Sequence, residues 1–124
     1  MDHDPAYLAY GLERARFALS ALLAATRAGH PLRTLVDLQE LACGAVAVAW
    51  RCVHLVEHPD LAPGIGEPHG ASVRLRLLRA LVQRLEPERI GGRPLRPLDD
   101  RDLDDAVDYL EMLAAQAREG RAAA

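Results

Sequence analysis

Two histidines and a carboxylate stand within five residues of one another, in the string His54-Leu55-Val56-Glu57-His58. On a helix, residues four apart share a face. The imidazoles of His54 and His58 could therefore hold a metal ion, with the Glu57 carboxylate beside it as a base. If the helices preceding and containing this string run antiparallel, His3 falls near the same end. His69 reaches it through the 59–70 loop. Four of the five histidines would then gather near Asp2, Asp4, Glu57 and Asp60. Three or four imidazoles suit Zn²⁺ or Ni²⁺. The competing use is structural: a histidine in a last helical turn is favoured by the macrodipole and can bond free carbonyls. Pro59 ends the helix on top of His58, which favours that structural use. The expectation is no cofactor.

The string resembles the H-x-x-E-H motif of the inverzincin metalloproteases. That resemblance covers five residues, and those enzymes need a further glutamate ligand far downstream. Arg51 and His58 are separated by six residues. The pair resembles the Arg-His motif of the HEPN ribonucleases, small helical-bundle dimers, and would imply an RNA-cleaving role for Arg51 and His58. Here Cys52 follows the arginine where that family has a polar residue, and the pair sits at a helix's end instead of its start. Asp104, Asp105 and Asp108 spell D-D-x-x-D, similar to the Mg²⁺-binding string of prenyl-diphosphate enzymes. A simpler role is available, since acidic residues in a first helical turn complement the macrodipole.

Composition narrows the classes. The chain has 124 residues, one domain's worth. Half are apolar, and only Tyr7, Tyr10, Phe17, Trp50 and Tyr109 are aromatic, so Ala, Leu and Val must fill the core. All 15 basic side chains are arginines, and the net charge is −3. Residues 71–98 carry seven arginines and residues 99–111 carry seven acids. The basic segment has no aromatic residue to stack on bases, so pairing with the acidic segment is favoured over nucleic acid. The N-terminus lacks the basic region of a signal peptide. The longest apolar run, Leu41–Trp50, is half a membrane span. These features point to a cytoplasmic protein that does not bind membranes. Cys43 and Cys52 are nine apart on one expected helix and cannot pair within the chain.

Pro and Gly cluster at 29–31, 59–70 and 87–97, leaving four helical intervals. Helix 1 is expected from Pro5 to Ala28, capped by Asp4, with the seam Leu8, Leu12, Ala15, Leu19, Leu22 and Thr26. Helix 2 is expected from Leu32 to His58. Its seam is Leu35, Leu38, Ala42, Ala45, Ala49, Cys52 and Val56, widened by Leu41, Val48 and Leu55. Helix 3 should run from Ser72 to Leu85 on Val73, Leu77, Leu78, Leu81, Val82 and Leu85. Helix 4 should run from Asp100 to Glu119 on Leu103, Ala106, Val107, Leu110, Leu113, Ala114 and Ala117. Gly120 should end it, with 120–124 frayed. The fold expected is a single all-α domain over 1–124, an up-down-up-down four-helix bundle with a long helix 1–2 hairpin.

A short helix 3 cannot cover a long hairpin, so apolar surface should remain for association. The expected function is that of a small non-enzymatic helical protein: an oligomeric subunit, adaptor or antitoxin-like partner. A homodimer built on helices 1 and 2 is expected, through Leu12, Leu19, Ala45, Ala49 and Trp50, together with an unidentified protein partner. The alternative is a HEPN-like ribonuclease or a metal-dependent helical enzyme centred on Arg51, His54 and His58. The two separate on one observation: the enzyme reading gains if those three side chains line a shared concavity, particularly at a two-fold interface, and fails if they point separately into solvent.

Overall fold

The computed structural model describes residues 5–62, 68–86, 89–90, 93–94 and 99–123. Four helices carry the fold: α1 (Pro5–Arg27), α2 (Leu32–Glu57), α3 (Val73–Leu85) and α4 (Asp100–Ala123). Between α3 and α4, β1 (Arg89–Ile90) pairs antiparallel with β2 (Arg93–Pro94). The architecture is all-α, with α1 packed on α2 and α4, and α3 on α2. Cross-contacts fix the directions. Gly11 of α1 meets Ala49 and Cys52 of α2, and Glu13 pairs with Arg118 of α4. Gln39 reaches the carbonyl of Leu85, and Arg84 reaches Asp102. Each helix therefore runs against its predecessor, as in an up-down-up-down four-helix bundle.

Local chemistry sets the helix ends. The N–H of Gly29 bonds the Thr26 carbonyl, and that of His30 bonds the Ala25 carbonyl. This is a Schellman stop, which needs a left-handed residue after the cap. Gly29 supplies it with φ +73. The Ser72 hydroxyl accepts from the Leu75 N–H at 3.1 Å and caps α3. Asp99 does the same for α4, accepting from the Asp102 N–H at 2.8 Å. At the far end, α4 runs through Gly120 to Ala123 instead of stopping at Glu119. A lone glycine weakens a helix by about 1 kcal/mol, which does not oblige it to stop.

The core is aliphatic. Leu12, Leu19, Val46, Val53, Leu75, Leu78, Leu103 and Leu110 are all buried in it. The seam expected for α1 is buried from Leu8 to Leu22, and that for α4 from Leu103 to Ala117, with Ala106 and Val107 half-buried. Two faces are corrected. On α2 the buried set is Gln39, Ala42, Val46, Ala49, Trp50, Val53 and His54, whereas Leu41, Val48 and Val56 are exposed. On α3 the buried residues are Leu75, Leu78 and Leu85, and Val73 and Leu77 face water. Both segments are rich in apolar residues on several sides, so periodicity alone left the phase of each helix open.

Candidate functional site

The end of α2 holds the residues singled out for chemistry. Arg51 is exposed, His58 is half-buried, and His54 is 1% exposed. A ring so deeply buried does not line an open concavity with Arg51 and His58. The His54 ring lies 5.7 Å from that of His58 and 5.2 Å from that of Trp50. His58 takes the C-cap position, but its backbone N–H makes the bond, to the His54 carbonyl at 2.7 Å. Glu57 is engaged by Arg74 of α3. His69 is exposed, and His3 lies outside the described residues. Among the described residues, no three His, Cys, Asp or Glu side chains are grouped to hold a metal ion.

Burial, reinforced by the neighbouring His58, pushes the His54 pKa down, against smaller opposing pulls from Glu57 and from the backbone of His54 itself. The buried Nδ1 of His54 and Nε1 of Trp50 have no hydrogen-bond partner within the protein. Arg79 of α3 stacks over the Trp50 ring at 5.3 Å from its centre. Cys43 and Cys52 are free thiols, their pKa values raised chiefly by burial. The acidic start of α4 faces arginines, as its charge pattern led us to expect. Arg27 reaches Asp100 at 3.7 Å and Asp104 at 3.6 Å, and Arg84 reaches Asp102 at 2.9 Å.

An open depression lies elsewhere, on the outer side of the α1–α2 hairpin. Two adjoining hollows, of about 670 and 490 Å³, share Tyr10, Arg14, Leu41 and Ala45. Their shape follows from two stripes. On α1, Tyr7, Tyr10, Arg14 and Phe17 recur every three or four residues and so stack into a ridge. On α2, Leu41, Ala45 and Val48 do the same. Small residues, Ala18, Ala21 and Gly44, also line these hollows. Phe17 is 72% exposed, Tyr7 70%, Leu41 67%, Tyr10 58% and Val48 52%.

Charges rim this trough. Arg14 donates to the Tyr10 hydroxyl at 2.9 Å and lies over its ring. Arg16 pairs with Glu13 at 3.4 Å, and Glu40 borders the other side. Of the residues expected at an interface, Leu12, Leu19 and Ala49 are wholly buried in the subunit's own core and Trp50 is nearly so. Only Ala45 reaches the open surface. The α1 ridge is masked in the sequence by the longer aliphatic seam on the other side of the helix. Its signal was present in the seven-residue spacing from Tyr10 to Phe17.

Comparison of the chain with protein-family models, with curated proteins and with solved structures finds no match.

Proposed function

We propose that this protein works by association, and that the outer face of its α1–α2 hairpin pairs with the same face of a second copy. The carrying observation is where the aromatic side chains stand. The chain has five aromatic residues, and Tyr7, Tyr10 and Phe17 are spent on one exposed stripe. Inside a lone subunit those rings bury little. Aromatic residues and arginine are the types enriched at protein interfaces, and Arg14 stands in the middle of the same stripe.

The area fits a dimer. The five exposed ridge side chains offer on the order of 500 Å² of apolar surface. A standard interface takes about 800 Å² per partner, roughly two-thirds of it apolar in homodimers. The rim suits self-pairing too. Glu13 and Glu40 share the face with Arg14 and Arg16, so the rim carries both signs and a second copy meets no field of a single sign.

Gly44 adds a separate argument. A glycine inside a helix costs about 1 kcal/mol relative to alanine. At Gly11 the subunit itself uses the missing side chain, since a Cβ there would lie 3.1 Å from the Cys52 Sγ. At Gly44 nothing lies within 4 Å of the corresponding position. Close approach by a second copy, with its Phe17 ridge packed over Gly44, would give the missing side chain a use.

Light scattering on the wild type and on Phe17→Asp tests the reading. The wild type is expected at twice the subunit mass and Phe17→Asp at the subunit mass, with unchanged helical content. A Phe17→Asp chain that still dimerises, or a wild type of subunit mass, overturns it.

A further inference from the structure

The α2–α3 seam contains one titratable side chain that neither the association surface nor the ion pairs employ. His54 is 1% exposed, and its Nδ1 has no hydrogen-bond partner within the protein. It stands on the stripe of α2 that receives α3. One turn before it, Trp50 lies beneath Arg79 of α3. One turn after it, Glu57 holds Arg74 of α3. The imidazole is thus bracketed by two contacts between α2 and the first half of α3, whose Leu75 and Leu78 are buried in the core. This element is the shortest of the four helices, with 13 residues.

We propose that His54 is an acid-sensitive latch: taking up a proton on this buried ring loosens α3 from α2 while the α1–α4 half of the bundle stays packed. A charged imidazolium needs partners for both N–H groups, and its buried Nδ1 has none within the protein. An unpaired buried charge is among the costliest groups a core can hold. The surroundings do little to relieve it. Arg79 already sits over the Trp50 ring, so that face is occupied by a cation. On α2 itself, His58 opposes the charge, while Glu57 and, to a smaller extent, the backbone of His54 itself favour it. Glu57 is already engaged by Arg74. Tyr109 of α4 stands close enough to Arg74 and Glu57 to feel both, and it remains neutral throughout the acid range. The least costly relief is to admit water by opening the seam. The helix on the His54 side of α2 is α3, and it is the shortest of the four.

The sign follows from linkage. An imidazole released to water takes up its proton near pH 6.5, whereas in the closed seam it resists doing so. Below about pH 6.5 the open state binds more protons, and the opening equilibrium rises by up to about tenfold per pH unit. Above that pH the latch is closed.

Amide hydrogen exchange, corrected for the intrinsic effect of pH and compared between pH 7.5 and 5.5, tests this. In the wild type, α3 is expected to lose up to about tenfold in protection per pH unit below about 6.5, while α1 and α4 keep theirs. In His54→Phe the α3 protection should be the same at both pH values, and in His58→Gln the loss should persist. Trp50 reports independently, because a protonated or departing imidazole 5.2 Å away changes its emission. If α3 and α4 lose protection together, or if His54→Phe keeps the wild-type loss, the latch is overturned. Should His54→Phe fail to fold, the ring titration of His54 in the wild type decides by NMR. A ring that titrates at or above pH 6.5 with α3 protection unchanged overturns it, and one that titrates below that pH in step with α3 exchange supports it.

Discussion

At Gln39 a carboxamide is buried in a leucine-rich core because it has a definite partner. Its Nε2 donates to the Leu85 carbonyl at 3.0 Å. That carbonyl belongs to the last residue of α3, where no intrahelical donor remains. Replacing Gln39 with Leu leaves the carbonyl unpaired, and a loss of about 1–3 kcal/mol is expected in urea unfolding. His54 makes a second residue-scale prediction. Its folded pKa is lowered, so the unfolded chain binds more protons below about pH 6.5 and stability falls as pH drops through that value. Unfolding at pH 7.5 and 5.5 should show that decline, at up to about 1.4 kcal/mol per pH unit, and His54→Phe should remove it. Neither buried polar residue was legible as such. A reading that assigns polar side chains to the surface passes over Gln39, although it continues the seven-residue spacing of Val46 and Val53. His54 was noticed for its chemistry, and its burial was hidden because the sequence does not fix which side of α2 meets α3.

At the scale of the element, helix boundaries were the most legible feature because Gly, Pro, Ser and Asp act locally. Removing the hydroxyl in Ser72→Ala leaves the Leu75 N–H uncapped, which should cost about 0.5–2 kcal/mol of stability. The loss should appear first as faster amide exchange in the opening turn of α3. Faces were less legible than ends, and the reason differs by helix. On α1 and α4, the buried leucines recur at spacings of three, four and seven on one side, so their spacing alone marks the core face. On α2, from Leu41 to Trp50, every direction is apolar. Packing by α1 and α3 then selected Val46, Trp50 and Val53, and left Leu41 and Val48 outside. That choice depends on neighbours far away in the chain, and no local pattern encodes it.

For the whole molecule, the expectation of unspent apolar surface on the hairpin was right in kind and misplaced in detail. The Leu12–Leu19 seam is consumed by the subunit's own core, while the opposite ridge of Tyr7, Tyr10 and Phe17 faces water. Gly44→Leu separates subunit stability from association. Open space above Gly44 lets the new side chain stand without a clash, and exchanging glycine for leucine in a helix should add about 0.5–1 kcal/mol to subunit stability. The same side chain stands on the face proposed to pair, so the dimer should weaken even as the subunit melts at a higher temperature. Salt should matter little to association, because rim pairs in water contribute only about 0.2–1 kcal/mol each. The most direct test of the central claim is sedimentation equilibrium of the wild-type protein at tens of micromolar. Self-association through the α1–α2 face predicts a species of twice the subunit mass that dissociates on dilution. A single species of subunit mass across that range would contradict it.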